Sequence, residues 1–532
     1  MPTSAPTPVM AGIAPPPAML SRINIGDFLR RAAQSDPQNI ALVDGDMRLS
    51  YGELNRRVTQ AANALLASGL RPGARVASLC NNSAEFVVAF FGVHRAGLVW
   101  VPINTGLGLD DVRFILEHAE ASAVLVDGAL LEGEPLRALL EQHGPTTGFV
   151  IEGAARGRYA AFAAACAAQD EIETPVEAGD RDVAQIMYTS GTTGRPKGVM
   201  QCHTAVVMAA FANAVELGMN REDVANAVLP LFHCAQHTLL CSLLAAGARV
   251  VLLRGFDPTR MLEVIERERI SKMFALPLMY QAMLDHPTIA QRDLSSLKLC
   301  LYAMAPMAET LLRRLIERFC PQFMLASGQT EMYPLTVAFR PEEQLRRFGP
   351  YWGASSILND TAVMDDEGRI LGRGAVGEIV HRGPNVMQGY YKDPEATEKA
   401  RAFGWHHTGD LGMWDADGQL LFKDRKKDMI KTGGENVPSV KVEAVLLQHP
   451  AVANAAAVGL PHARWIEAVT AFAVLKPGAN ADEAALIAHC KAHLGGFEVP
   501  KAIRVLDALP MTSTGKVQKQ PLRERFHDLY AG

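Results

Sequence analysis

The sequence predicts a multidomain α/β protein, and three observations carry that prediction. Its 532 residues exceed what a single hydrophobic core usually supports. From about Ile25 to Asp127, segments of helical period such as Tyr51 to Ser68 alternate with short β-rich runs such as Arg75 to Leu79 and Ala123 to Val126, the pattern of a layered α/β structure. The alternation returns from Val228 to Leu325, with a strand at Arg249 to Leu253, a helix at Pro258 to Arg269 and a strand at Lys272 to Ala275.

The pattern then changes. From Gly353 to Phe422 short strands are separated by turn signals such as Asp366-Glu367-Gly368 and Asp417-Gly418, which predicts an antiparallel, barrel-like unit. Beyond the charged run Lys423 to Asp428, strand-like runs (Ala453 to Val458, Ala468 to Leu475) and helical patterns (Val440 to Gln448, Asp482 to His493) suffice for a small α+β domain. The expected organisation is a Pro/Ala-rich segment at 1–20, a large domain at 21–424, a linking run at 425–430 and a small domain at 431–532. The alanine-rich patch Ala160 to Ala168 reads as a surface helix. No repeat with a period of 20 to 50 residues is visible, which disfavours solenoids and propellers.

Charge narrows the function. With 52 Lys+Arg against 57 Asp+Glu, the net charge is −5, so no overall basic field exists to hold a nucleic acid or an anionic membrane. The 8 cysteines lack paired spacing, which fits a reducing cytoplasm. The N-terminal stretch has no basic residue before Arg22 and is broken by prolines, unlike a signal peptide. The apolar stretch Ala227 to Leu253 contains His233, Gln236, His237 and Arg249, which are costly in hydrocarbon, so it is read as buried core.

The most informative segment is Tyr188-Thr-Ser-Gly-Thr-Thr-Gly-Arg-Pro-Lys-Gly-Val-Met200, which follows a β-rich run at Val183 to Met187. Glycines let backbone N–H groups approach an anion, hydroxyls donate to phosphate oxygens, and Lys197 adds a point charge. Together they form a polyphosphate cradle. A Walker loop is excluded because Lys197 is followed by glycine rather than Ser or Thr.

With five further segments in order, Leu229-Pro-Leu-Phe-His233, Gly328-Gln-Thr-Glu331, His407-Thr-Gly-Asp-Leu411, Asp424-Arg-Lys-Lys-Asp-Met-Ile-Lys-Thr-Gly-Gly-Glu-Asn436 and Thr514-Gly-Lys516, the chain resembles the adenylate-forming superfamily. That superfamily includes acyl- and aryl-CoA synthetases, peptide adenylation domains and beetle luciferases, and the resemblance covers nearly the whole chain. It implies an ATP-dependent carboxylic acid:coenzyme A ligase that uses Mg²⁺ and works through an acyl-adenylate. It further implies a large domain of two αβ layers plus a small β-barrel, and a mobile C-terminal domain.

By the same resemblance, Lys516, Lys197, His233 and Glu331 are catalytic, with Glu331 holding Mg²⁺. The nucleotide would be held by Thr189, Ser190, Gly191, Thr192, Thr193, Gly194, Lys197, Ala305, Thr330, Asp410, Arg425 and Lys516. Lys427 would be the hinge. Lys431, Gly433 and Gly434 would face coenzyme A, and Phe232, Tyr302, Met304 and Met307 would border the acyl pocket. That apolar border points to a fatty acid, or alternatively to a benzoate- or cinnamate-type acid. No nucleic acid partner and no stable membrane insertion are expected, and a homodimer is compatible with the sequence.

Several features depart from the pattern or compete with it. Ser327 stands where relatives usually carry an aromatic residue against adenine. Met304 adds bulk where many have glycine, and Ile466 in Arg464-Trp-Ile-Glu467 replaces a glycine common in relatives. Gly372-Arg-Gly-Ala-Val-Gly377 satisfies a dinucleotide fingerprint but leads into a strand-like run rather than a helix. His233, His237 and Cys241 have helical spacing for a zinc trio without an evident fourth ligand. Phe232-His233-Cys234 lacks the aspartate expected of an amino-acid-activating domain. Luciferase-like oxidation and non-catalytic nucleotide binding are the remaining rivals.

Overall fold

The computed structural model describes residues 22–189, 195–303, 307–511 and 517–531. They group into two compact units: one runs to Thr361 and takes in His381–His406, and the other comprises Ala362–Val380 and the chain from His407 onward. This division falls earlier in the chain than the boundary expected at Asp424.

The first unit contains two sheets with helices between them and outside them. In one, Arg75–Leu79 lies between the parallel strands Val99–Pro102 and Ala123–Asp127, and the sheet continues through Val183–Thr189 to the antiparallel strand Lys197–Cys202. In the other, Ile40–Asp44, Arg249–Leu252, Val224–Ala227, Lys272–Phe274, Leu299–Tyr302 and Phe323–Ser327 follow in parallel order, and Val337–Phe339 adds antiparallel to the last. Parallel strands covered on both faces are apolar through their covered length, and the burial of Val250, Val251 and Leu252 and of Leu299–Tyr302 follows that rule.

Helices Tyr51–Ala67, Ala84–Arg95, His203–Glu216 and Cys234–Ala245 fill the layer between the sheets and share one apolar core with both. The first of these starts at a capping box in which Ser50 and Glu53 exchange side-chain and backbone hydrogen bonds. The stretch Ala227 to Leu253 is interior: Thr238 and Ser242 return their hydroxyls to the carbonyls of Cys234 and Thr238 at 2.6 and 2.7 Å, which satisfies polar groups inside the core. Among the described residues no helix is long and apolar enough to cross a membrane.

His94, His203 and His237 gather in this central layer, with ring centroids of His94 and His203 5.9 Å apart and His237 4.7 Å from Trp100. Burial lowers all three, His203 to about 4 and His237 to about 3, so they are neutral core residues. The Nδ1 of His237 bonds the Tyr333 hydroxyl, and its Nε2 lies 3.9 Å from Cys241 Sγ. The ring is thus already engaged in packing, while His233 precedes the helix as its N-cap residue.

In the second unit the strand-rich stretch includes Asp410–Trp414, paired antiparallel with Leu420–Arg425. Gly377 does open a strand, Gly377–Arg382. The C-terminal part is an α+β layer. Val452–His462 pairs with Ile466–Leu475, which is flanked by Ala502–Val505 and Ile430–Thr432, and Ser439–Gln448 and Glu483–His493 pack on that sheet. The alanine-rich patch differs from expectation in part. Ala160–Ala161 is a short strand, while Phe162–Ala167 is helical, exposing Ala163, Ala164 and Ala167 and burying Phe162 and Cys166. All eight cysteines are buried thiols.

Candidate active site

In the first unit, the site grows from a turn that follows the strand Phe323–Ser327. Ser327 ends that strand, and its carbonyl accepts from the Thr336 N–H at 2.9 Å, closing the hairpin around Gly328 to Pro334. Inside the hairpin the Thr330 carbonyl accepts from Gln201 Nε2 at 3.0 Å, and its hydroxyl lies 3.3 Å from Cys234 Sγ. The Glu331 carbonyl accepts from the Met387 N–H at 2.7 Å, and Asn385 Nδ2 donates to the Met332 carbonyl. Thr330 and Glu331 are both half-buried and fixed by their own backbone.

Lys197 belongs to the same constellation. Thr189 and Lys197 face each other where the strands Val183–Thr189 and Lys197–Cys202 converge. The Lys197 ammonium sits 5.0 Å from the centroid of the Tyr390 ring, and the Tyr390 hydroxyl donates to Glu331 Oε1 at 3.0 Å. Burial, and then the Glu331 charge, push the Tyr390 phenol far up, so it stays a donor. Cation, ring and carboxylate therefore form one chain.

His233 and Phe232 are half-buried at the start of the helix Cys234–Ala245. Asn82 holds the loop before them: its Nδ2 donates to the carbonyls of Ala227, Leu229 and Leu253 at 3.2, 2.9 and 3.1 Å, and its Oδ1 accepts from the Leu231 N–H at 2.9 Å. Tyr302 is buried at the end of its strand and donates to Gln344 Oε1 at 2.8 Å, while Met307 packs on the same core.

In the second unit, Asp410 is buried and faces Arg425 across the strand pair, with Oδ1 3.4 Å from Arg425 Nε. Glu378 organises the turn before it, accepting from the Gly409 N–H at 2.9 Å and lying 3.2 Å from His407 Nδ1 and 3.1 Å from Lys426 Nζ. Burial raises the Glu378 carboxyl, but His407, Gly409 and Lys426 outweigh it and hold the group at about 2. Lys427 is exposed, and its carbonyl accepts from Arg523 Nη2 at 3.5 Å. Lys431 is exposed, and Gly433 and Gly434 follow with φ of +60° and +90°, a conformation that glycine adopts without a Cβ penalty.

Ser190, Gly191, Thr192, Thr193, Gly194, Met304, Ala305 and Lys516 lie outside the described residues. Within each unit the expected residues do converge: Lys197, Thr330 and Glu331 in one, Asp410 and Arg425 in the other. Sequence reasoning missed Asn82, Gln201, Tyr390 and Glu378. Tyr390 sits 59 residues from its carboxylate partner, so spacing carried no signal for it.

A fold of two αβ layers and a smaller unit is the fold of the adenylate-forming enzymes among its structural neighbours. The chain belongs to the AMP-binding enzyme family, whose sequence profile matches residues 29–391, and the profile of the AMP-binding enzyme C-terminal domain matches residues 441–516. It is an AMP-forming acid–coenzyme A ligase of the adenylate-forming superfamily. Feruloyl-CoA synthase of Amycolatopsis sp is 35% identical over 504 residues, covering 94% of this chain and 99% of the relative. Long-chain-fatty-acid–CoA ligase FadD13 of Mycobacterium tuberculosis (strain ATCC 25618 / H37Rv) is 33% identical over 507 residues, 94% of this chain and 98% of the relative. Among solved structures, ATP-bound MatB from Rhodopseudomonas palustris superposes with a TM-score of 0.86 at 30% identity, covering 95% of this chain and 100% of that one. The anthranilate CoA ligase AuaEII in complex with anthranoyl-AMP gives 0.85 at 29% identity, covering 96% and 98%.

Proposed function

We propose that this ligase activates a fatty acid in two steps. The carboxylate oxygen attacks the α-phosphorus of ATP and pyrophosphate departs. The thiol of coenzyme A then attacks the acyl carbonyl and AMP departs. The observation that carries the reading is the Lys197–Tyr390–Glu331 chain beside the fixed Thr330, which supplies a cation, a held carboxylate and a hydroxyl at a turn that cannot easily relax.

In this reading Thr330 orients the α-phosphate, Lys197 and the 189–194 cradle receive the departing pyrophosphate, and Lys516 stabilises the charge of the first step. Asp410 accepts from the ribose hydroxyls, with Arg425 beside it. Glu331 is an all-oxygen donor already oriented by Tyr390, which fits a hard divalent cation, and Mg²⁺ held there would neutralise phosphate charge. His233, at the mouth of a loop fixed by Asn82, would border the reacting carboxylate.

The fatty acid is supported by the apolar character of Phe232 and Met307 and by the likeness to FadD13, named for long-chain fatty acids. An aryl acid is the second reading. It is supported by relatives named for feruloyl and anthranilate substrates, 35% and 29% identical to this chain. AMP release with C2 to C18 fatty acids, benzoate and cinnamate, with and without coenzyme A, decides between them. Preference for cinnamate-type acids over every fatty acid would reject the first reading. Lys516→Ala should abolish adenylation yet convert supplied acyl-adenylate to thioester, and Gly434→Leu should do the reverse. Equal loss of both steps in both variants would rule out separate roles for the two segments.

A further inference from the structure

Lys197 sits at the end of a strand pair. Its partner Thr189 ends the strand Val183–Thr189, while the strand Gly389–Tyr390 on the other side pairs with Met200 and Val199. Element ends open at little cost unless side chains fasten them.

Tyr188 supplies the fastening. Gly198 adjoins Lys197 and faces Tyr188 across the pair, and a Cβ there would come within 3.1 Å of Tyr188 Cζ, so the ring lies against bare backbone. The Tyr188 hydroxyl meets His118 Nδ1 at 2.7 Å, at the C-terminal end of the helix Leu109–His118. Burial raises the Tyr188 phenol and lowers the His118 imidazole, which suits the phenol as donor and the neutral ring as acceptor.

His118 is itself held. Phe114, one helical turn earlier, stacks on it with centroids 5.1 Å apart, the Tyr391 ring meets it edge-on at 5.7 Å, and Lys392 Nζ donates to its carbonyl at 3.0 Å. Two of these supports also grip the strand that carries Lys197. The Arg195 guanidinium lies 5.1 Å from the Phe114 centroid, and the Tyr391 N–H donates to the Gly198 carbonyl at 2.7 Å. One aromatic cluster thus fastens the chain on both sides of Lys197.

We infer that Tyr188 and His118 are positioning residues for Lys197, an assignment that rests on the ligase reading above, in which Lys197 receives the departing pyrophosphate. They act through the strand pair rather than on the phosphate. Their hydrogen bond fixes the backbone from which the ammonium extends, so the cation is in place before charge leaves with the pyrophosphate.

The test uses the full chain and the variants Tyr188→Phe, His118→Phe and His118→Asn, with the first two also combined. Phenylalanine keeps a ring and deletes one partner of the hydrogen bond, whereas asparagine offers an acceptor oxygen near the place of Nδ1. Pyrophosphate exchange into ATP is measured against pyrophosphate and acid concentrations, alongside thioester formation from supplied acyl-adenylate and thermal unfolding. In both phenylalanine variants KM for pyrophosphate should rise about fivefold, the scale of one lost hydrogen bond, and the combined variant should be no worse than either alone. KM for the acid and the thioester rate should stay parental, and His118→Asn should keep the parental KM for pyrophosphate. A parental KM for pyrophosphate in both phenylalanine variants, losses that multiply in the combined variant, or a thioester rate falling in step with the unfolding midpoint overturns the assignment. A parent that exchanges no pyrophosphate with any acid would instead sink the ligase reading itself.

Discussion

The turn Thr330 to Tyr333 and the segment Gly433-Gly434 are built on opposite plans. In the turn, Gln201 and Cys234 hold Thr330, Met387 and Tyr390 hold Glu331, Asn385 holds Met332 and His237 holds Tyr333. The glycine pair is exposed and left-handed, and a Cβ on Gly434 would meet nothing within 4 Å. Attack on a phosphate brings anions together and rewards dipoles fixed in advance, since reorientation during the reaction would cost what they supply. In the role proposed for the glycine pair, passage of a slender thiol-bearing arm would reward bare backbone. The first unit invests in hydrogen bonds where the second invests in the absence of side chains.

Acid should separate the two units most sharply. His94, His203 and His237 have folded values below their unfolded value of about 6.5, so the unfolded chain binds more protons below that pH. Their contribution is complete above about pH 6.5 and falls as pH drops, towards about 4 for His203 and about 3 for His237, by roughly 1.4 kcal/mol per histidine per pH unit. In the second unit Glu378 is depressed from 4.5 to about 2, so its contribution is complete above 4.5 and is lost only between 4.5 and 2. Hydrogen exchange or proteolysis along a pH series should show the first unit opening at the higher pH. Loss of the second unit first would contradict this ordering.

Substitutions sharpen the same contrast. Glu331→Gln should slow pyrophosphate exchange by about 10²-fold, the scale of losing one preorganised electrostatic group, while supplied adenylate is still converted. Asp410→Ala should raise KM for ATP about tenfold or more, as charge-assisted bonds worth roughly 1.5–3 kcal/mol are lost. Normal exchange in the first variant, or an unchanged KM in the second, would remove those residues from the proposed site. Tyr390→Phe deletes one donor to Glu331 and should cost about 1 kcal/mol, a several-fold drop in the first step alone. If thioester formation suffers equally, Tyr390 supports the fold rather than the carboxylate.

Much of the architecture was legible because local signals agreed with it. Arg75–Leu79 has the bounds its β-rich run predicts, and Asp482 caps a helix that ends at His493. The patch Ala160 to Ala168 was legible in part: Phe162–Ala167 is helical with exposed alanines, but alanine content does not say that Ala160–Ala161 pairs as a strand or that Phe162 and Cys166 are buried. The motifs brought Thr330 with Glu331 and Asp410 with Arg425 to attention, since each lies in a short contiguous run. Their supports were hidden. Asn82 serves a loop almost 150 positions away and Glu378 serves a turn beyond an intervening strand, so a polar side chain bonding distant backbone leaves no periodic trace.

The burial of all eight cysteines has a practical side. Desolvation pushes the Cys80, Cys241 and Cys300 thiols up, which keeps them protonated and poor nucleophiles. Cys320 is the exception, its thiol lowered by a hydrogen bond from Cys300, but it too is buried. An accessible thiolate would be open to capping as a mixed disulfide by any oxidised cofactor thiol. A dye that reports thiols under native conditions should therefore count coenzyme A as it is consumed, with little background from the protein.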